Sequence, residues 1–151
     1  DETLIAEDRL FSTLDTFIRA VRLPSGKTIL VADTVGFIRD LPHSLIDAFR
    51  ATLEEICQSS LILLVLDAGA PDCLETFRVV TKTLGDIGAG EVRRIVLLNK
   101  TDTCREEDVF QLRERIAGEE DVVLPVSAVD GRGVDQLLRY LDEFFQQEEK
   151  P

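Results

Sequence analysis

The chain has 151 residues, 44% of them hydrophobic and 30% charged, which is enough for one globular domain with a packed core. Its formal net charge is −12, so the domain as a whole offers no basic surface for DNA, RNA or anionic lipid. No apolar segment approaches the roughly 20 residues that span a bilayer, which excludes stable membrane insertion.

The first part of the chain predicts a β-hairpin. Residues 16–23 alternate in polarity and contain enough β-branched side chains for a strand, and residues 27–32 form a second short apolar run. Pro24, Ser25 and Gly26 between them are typical turn residues. We therefore expect two antiparallel strands joined by a tight turn.

The remainder alternates between strand and helix patterns. Continuous apolar runs predict three parallel strands, the first of them buried on both faces, at 61–66, 94–98 and 122–126. Helical spacing predicts helices that begin after Ser44, cover 76–84 and 105–117, and follow Gly133, with fraying from Gln146. The predicted fold class is α/β, with a mostly parallel sheet covered by helices on both faces.

The cysteines indicate the cellular compartment. There are three, Cys57, Cys73 and Cys104, and they are widely spaced with no CxxC pattern. An odd number at such spacing favours neither a disulfide framework nor a zinc site. We interpret them as reduced thiols of a cytoplasmic protein.

Three polar motifs follow predicted strands. They are Asp33-Thr34-Val35-Gly36, Asn99-Lys100-Thr101-Asp102 and Ser127-Ala128. In open α/β sheets the carboxyl ends of the strands face the crevice that binds ligands. A glycine three residues after a carboxylate lets the backbone approach a phosphate closely, because it has no Cβ. The three motifs occur in the order and rough spacing of the nucleotide-binding motifs of GTP-binding proteins.

The second and third motifs predict guanine specificity. The Asp102 carboxylate can accept N–H bonds from guanine N1 and the 2-amino group, an arrangement that adenine does not offer. The Lys100 stem can lie along the base plane, Asn99 is expected to tie loops together, and Ala128 offers a backbone N–H to the guanine carbonyl. The other residues of the predicted base site are Thr101, Ser127 and Val129. Many GTPases carry lysine where this chain has Val129.

A wider resemblance runs from about Leu4 to about Tyr140. It is densest in the segments Phe11-Ser12-Thr13-Leu14-Asp15, Asp33-Thr34-Val35-Gly36-Phe37-Ile38, Leu41-Pro42-His43 and 48–55. There the chain resembles the G domain of the HflX family of translational GTPases. The resemblance implies binding of GTP and GDP with Mg²⁺, slow GTP hydrolysis, and association with the large ribosomal subunit, mainly through segments other than this acidic domain.

The resemblance also implies roles near the phosphates. It places 11–15 in switch I, with Thr13 as a direct Mg²⁺ ligand and Asp33 as a ligand through a water; oxygen groups suit this hard cation. Phe37 stands where many GTPases have the glutamine that orients the attacking water, so the catalytic residue is unknown and slow hydrolysis is expected. The single histidine, His43, is expected to be structural or to contact a partner rather than to act as a base.

The chain departs from the family at the phosphate-binding loop. No Gly-x-x-x-x-Gly-Lys-Ser/Thr pattern occurs in the 151 residues. Gly26-Lys27-Thr28 does not supply it, because the first glycine would fall at Val21 and the segment lies between two strands. The loop and the strand leading into it are expected before Asp1. Loss of that central strand would leave two unpaired inner edges, so we expect the chain to be part of a longer protein.

Several interpretations remain open. We expect 1–151 to form a single, partial G domain with mobile ends at 1–10 and 146–151. An alternative is a fragment that keeps the guanine pocket as an interaction module without catalysis. A second is a phospho-acceptor receiver domain, which would need an acidic pair after its first strand, where the sequence offers only Asp33.

Overall fold

The computed structural model of the chain describes residues 17–33, 50–117 and 122–148. These residues belong to two compact units, Asp1–Thr52 and Leu53–Pro151. The expectation of one domain over the whole chain stays a prediction.

The first unit contains the predicted hairpin. Strand β1 (Phe17–Arg22) pairs antiparallel with β2 (Thr28–Asp33), in a register that places Phe17 opposite Asp33. The turn is closed by two backbone hydrogen bonds, from Leu23 N–H to the Lys27 carbonyl at 2.8 Å and from Gly26 N–H to the Leu23 carbonyl at 2.9 Å. Gly26 has a φ of 90°, which a residue without Cβ adopts at little cost. The hairpin prediction is confirmed.

The second unit is built on a parallel sheet of order β3–β4–β5. The strands are β3 (Ile62–Asp67), β4 (Arg94–Asn99) and β5 (Val122–Pro125). The middle strand forms the centre of the core, since Ile95, Val96 and Leu98 are fully buried. A strand with neighbours on both sides excludes water along its length, which explains its continuous apolar sequence. The α/β fold class with parallel strands is confirmed.

Helices connect these strands. Within the described residues they are α1 (Arg50–Gln58), α2 (Cys73–Asp86), α3 (Glu106–Ile116) and α4 (Val134–Glu148). Helix α2 joins β3 to β4 and contacts β3, whereas α3 joins β4 to β5 and contacts both β5 and α2. Each of the last three helices buries a few apolar residues, among them Leu84, Ile116 and Phe144. None of the described helices is long and apolar enough to cross a membrane.

Three sequence expectations need correction. Strand β3 was predicted to be buried on both faces, but Val65 is 57% exposed while Leu64 and Leu66 are buried. Successive strand side chains point to opposite faces, so Leu64 and Leu66 lie on the buried face of β3, whereas the face that carries Val65 is only partly covered. Helix α2 begins three residues before the predicted Thr76 and continues past Leu84, and α4 continues through Glu148 instead of fraying from Gln146.

Some expectations fall outside the described residues. The predicted helix start at Ser44 and the lone His43 belong to this group, and α1 is described from Arg50 onward.

All three cysteines are described, and all three are free thiols. Burial raises the pKa of the Cys73 thiol, which favours its protonated form. The absence of a disulfide framework agrees with the sequence interpretation.

A glycine pair at the end of α2 gives the first prediction. Gly85 lies inside the helix, and no heavy atom lies within 4 Å of a Cβ built there. Gly85→Ala is expected to raise the free energy of unfolding by about 0.5–1 kcal/mol, because alanine loses less backbone entropy in a helix. Gly88 is the matched control: it also faces open space but has a φ of +88°. Gly88→Ala is expected to cost about 1–2 kcal/mol. Urea denaturation of both variants tests the contrast, and equal shifts would contradict it.

Candidate functional site

Polar groups from three strands meet at the carboxyl ends of the parallel strands. The register pairs Asp67 with Asn99 at the ends of β3 and β4, and pairs Leu98 with Pro125 at the end of β5. The residues that follow each strand therefore emerge next to one another. In open α/β sheets, ligands bind in the crevice outside the carboxyl ends of the strands.

The loop after β4 has an unusual backbone. Lys100 adopts a left-handed conformation with a φ of 64°, and among the described residues it is the only non-glycine with positive φ. A one-turn 3₁₀ helix, Thr101–Thr103, follows it. The Lys100 carbonyl accepts hydrogen bonds from the Thr103 amide at 3.1 Å and from the Thr103 hydroxyl at 2.9 Å, which holds the turn. A non-glycine residue keeps a left-handed conformation only where surrounding contacts hold it. Such residues are found more often than elsewhere at functional sites.

Four hydrogen bonds tie this loop to the loop after β5; one is a backbone bond from the Thr101 N–H to the Val126 carbonyl at 3.3 Å, and the other three involve side chains. The Ala128 N–H donates to Asn99 Oδ1 at 3.1 Å, and the Thr101 hydroxyl donates to the Val126 carbonyl at 2.9 Å. The Ser127 hydroxyl donates to Asp102 Oδ1 at 2.7 Å. Asn99, which the sequence leads us to expect to tie loops together, thus contacts the loop after β5 through its side chain. The Ala128 N–H, assigned from sequence to a guanine carbonyl, donates here to Asn99, so a ligand carbonyl must share or displace that bond.

Asp102 is held in place and exposed at the same time. Its hydrogen-bond donor, Ser127, is fully buried, and the Ser127 hydroxyl also accepts the Asp130 N–H at 3.3 Å. The Ser127 N–H donates to the Arg132 carbonyl at 2.8 Å. Because the buried Ser127 hydroxyl holds one oxygen of the Asp102 carboxylate, the other oxygen is presented to solvent as an acceptor in a fixed position. Such an arrangement suits a ligand edge that carries N–H donors.

A second carboxylate fixes Lys100. The Lys100 ammonium contacts Asp67 Oδ2 at 2.6 Å, and the Gly69 N–H donates to Asp67 Oδ1 at 2.9 Å. The ammonium, and after it the Gly69 N–H, lowers the pKa of Asp67, and the carboxylate raises the pKa of Lys100. A lowered acid pKa stabilises the fold above the ordinary value of 3.8, and a raised lysine pKa does so below the ordinary 10.5. The pair therefore stays ionised throughout the neutral range.

The loop after β5 carries its own ion pair, and its two residues are not among those expected from the sequence. Asp130 accepts the Arg132 N–H at 3.0 Å through Oδ1 and the Arg132 guanidinium at 2.7 Å through Oδ2. The Arg132 N–H is the largest cause of the lowered pKa of Asp130. An aspartate two residues before a turn N–H is a recognisable turn signal and could have been found in the sequence. Val129, which directly precedes Asp130, is 84% exposed, so it contributes little packing to the loop.

The predicted phosphate-side residues are placed only in part. Asp33 ends β2 in the first unit, and its side chain is exposed. The other predicted residues on that side lie outside the described residues: Phe11, Ser12, Thr13, Leu14, Asp15, Thr34, Val35, Gly36 and Phe37. Within the described ranges, no group of three or more His, Cys, Asp or Glu side chains is arranged to hold a metal ion. The carboxylate of Asp33 is of the oxygen type that Mg²⁺ accepts.

The chain is similar to several known proteins. The chain is 40% identical over 136 residues to GTPase HflX of Akkermansia muciniphila, which covers 89% of the chain and 31% of that relative. It is 42% identical over 144 residues to GTPase HflX of Caldanaerobacter subterraneus, which covers 95% of the chain and 32% of the relative. The chain thus spans about a third of the length of these curated relatives. No family model matches it.

A solved structure is also similar to the chain. It is a GTP-binding protein of Sulfolobus solfataricus in complex with GDP, with a TM-score of 0.74 and 28% sequence identity. The match covers 88% of this chain and 45% of that one. The similarity therefore extends to sequence as well as to the arrangement of the α/β elements.

Proposed function

This chain belongs to the HflX family of GTPases, and from that premise we propose that its loops after β4 and β5 bind the guanine base of GTP and GDP. The observation that carries the proposal is the exposed Asp102 carboxylate, anchored by the buried Ser127 hydroxyl at 2.7 Å. The GDP complex of the Sulfolobus structure, which resembles this chain, supports the same ligand class.

Base recognition follows from hydrogen-bond complementarity. Asp102 accepts from guanine N1–H and the 2-amino group, so a base without these donors leaves the carboxylate without its partners. The Ala128 N–H donates to Asn99 Oδ1 at 3.1 Å, which holds the two loops next to each other, and the guanine carbonyl is expected to share or displace this bond. Val129 is expected to border the slot, and the Lys100 stem to cover one face of the base. Thr101 is buried and supports the loop from below, through its hydroxyl bond to the Val126 carbonyl.

The phosphate side of the proposal rests on family membership. Thr13 and Asp33 would hold Mg²⁺, Asp33 through a water, and the ion would neutralise charge on the phosphate oxygens. Switch I would contain Phe11, Ser12, Leu14 and Asp15. The γ-phosphate would order the segment Thr34, Val35 and Gly36, which would be released on hydrolysis. With Phe37 unable to orient a water, we expect slow hydrolysis.

The cellular role is likewise proposed. We place the protein in the cytoplasm, in association with the large ribosomal subunit. The net charge of −12 makes this region a poor RNA-binding surface, so other segments of the protein are expected to provide most of that contact.

Calorimetric titration with nucleoside diphosphates in the presence of Mg²⁺ tests the proposed function. The natural full-length protein is expected to bind GDP at least about a hundredfold more tightly than ADP, since the rejected base leaves polar groups unpaired. Equal affinity for the two nucleotides, or no binding of GDP by a folded sample, would contradict the proposal.

A second candidate concerns the 151 residues alone, because they contain no Gly-x-x-x-x-Gly-Lys-Ser/Thr pattern. In that case the chain keeps the base pocket as an interaction module without catalysis. Phosphate release from GTP, measured for the 151-residue chain and for the full-length protein, separates the two candidates. Hydrolysis by the shorter chain would exclude the interaction module.

A further inference from the structure

We propose that Asp67 is a positioning residue for nucleotide binding, which pairs with the Lys100 ammonium so that the lysine stem forms a fixed wall of the base slot. The inference rests on the proposed function and adds a residue to it. Asp67 belongs to β3, outside the two loops that contact the base, and acts only through Lys100.

The first support is the contact itself. Lys100 Nζ and Asp67 Oδ2 lie 2.6 Å apart, at the short end of charge-assisted hydrogen bonds. The Lys100 backbone is independently held in its left-handed conformation by the Thr103 amide and hydroxyl. With backbone and ammonium both fixed, the four-carbon stem between them has few conformations left. An ordered stem loses less entropy when a flat ligand packs against it.

The second support is that Asp67 is fixed in turn. Its Oδ1 accepts the Gly69 N–H at 2.9 Å, and the Ala68 N–H donates to the Asn99 carbonyl at 2.9 Å. A Cβ on Gly69 would lie 3.4 Å from the Thr103 hydroxyl and 3.5 Å from Asp67 Oδ1, so the loop after β3 passes close to the loop after β4. Asp67 therefore reaches Lys100 from a rigid support rather than from a mobile surface.

The third support is electrostatic. A nucleoside diphosphate carries negative charge on its phosphates, and an unpaired ammonium on a flexible stem would be attracted to it. The Asp67 carboxylate satisfies this ammonium locally. Because the lysine side chain remains 56% exposed, the pair contributes little to folding stability and its main effect falls on where Lys100 points.

The test measures GDP affinity of the full-length protein by calorimetry. Asp67→Asn keeps an acceptor for the Gly69 N–H but removes the charge, and is expected to raise the Kd for GDP about tenfold, the equivalent of one charge-assisted hydrogen bond. Asp67→Glu restores the charge on a longer stem and is expected to recover part of the affinity. Asp108→Asn is the matched control: Asp108 is also exposed and pairs with Arg105 at 2.8 Å, but on helix α3, and it should change the Kd less than twofold.

A double-mutant cycle separates positioning from a general structural effect. If Asp67 acts through Lys100, Asp67→Asn in a Lys100→Ala background should weaken GDP binding no further, because the group it positions is gone. The thermal midpoint of the nucleotide-free Asp67→Asn variant should stay within the range of the Asp108→Asn control. A tenfold loss that persists in the Lys100→Ala background, or unchanged affinity in Asp67→Asn, overturns the inference. If the wild-type protein fails to bind GDP, the proposed function fails as well, and the two failures are thereby distinguished.

Discussion

Asp102→Asn is expected to lower the affinity for GDP by roughly a thousandfold and to make xanthosine diphosphate (XDP) the preferred nucleotide. Guanine presents two N–H donors to the carboxylate. The asparagine amide oxygen can take the place of Asp102 Oδ1, which the Ser127 hydroxyl holds at 2.7 Å, so its NH₂ group then faces the base. That group opposes the guanine donors, whereas the C2 carbonyl of xanthine accepts from it. One residue thus exchanges an acceptor for a donor at a fixed position.

Competition calorimetry with GDP, XDP and ADP measures this exchange. Asp135→Asn is a suitable control, because it removes an exposed aspartate from the first turn of α4 and leaves the base loops intact. The control should bind GDP like the wild type. Weakening of all three nucleotides by a similar factor in Asp102→Asn would show instead that the loop had been disrupted, and the assignment of Asp102 to the base edge would be wrong.

Gly133→Ala is expected to reduce the free energy of unfolding by about 3 kcal/mol, the largest stability effect among the described glycines. Gly133 has a φ of +76°, and a Cβ built on it overlaps the Pro125 carbonyl oxygen and crowds Val126. A left-handed alanine costs about 1–2 kcal/mol, and an overpacked contact with backbone adds about 1–3 kcal/mol. Because the obstacle is backbone at the end of β5, no side-chain rotation relieves it.

Gly131 separates the two contributions. It has a φ of +79°, but no heavy atom lies within 4 Å of its built Cβ. Gly131→Ala should therefore cost only the backbone term of about 1–2 kcal/mol. Urea denaturation curves with a common m-value give both free energies. Equal losses at the two positions would mean that the contact with Pro125 relaxes without cost.

The sequence predicted the element order well where local pattern and burial agree. The apolar run of β4 is shielded on both sides, so hydrophobicity alone located it at 94–98, one residue short of the observed end. The same reasoning overestimates the burial of β3, because an apolar run does not reveal whether both faces of the strand are covered. The predicted helices α2 and α4 are also shorter than the observed ones, because helix ends depend on packing and on capping contacts.

The candidate site was predicted in its residues but not in its contacts. Asn99, Lys100 and Asp102 were recognised because their side-chain chemistry and order follow a buried strand. Their partners are 29, 33 and 25 residues away in the chain, and no local pattern indicates those pairings. Asp67 illustrates the difference, because only the ion pair shows that its carboxylate holds Lys100, 33 residues away in the chain.

By itself, the sequence determined the α/β alternation, the family resemblance and the identity of the base-recognition motifs, because each depends on short-range order and on side-chain chemistry. The tertiary structure decided which oxygen of Asp102 is anchored, which acceptor the Ala128 N–H uses and which carboxylate holds Lys100. These are contacts between the ends of neighbouring parallel strands. They form only when the sheet brings those ends together, because the residues that carry them are separated along the chain by whole helices.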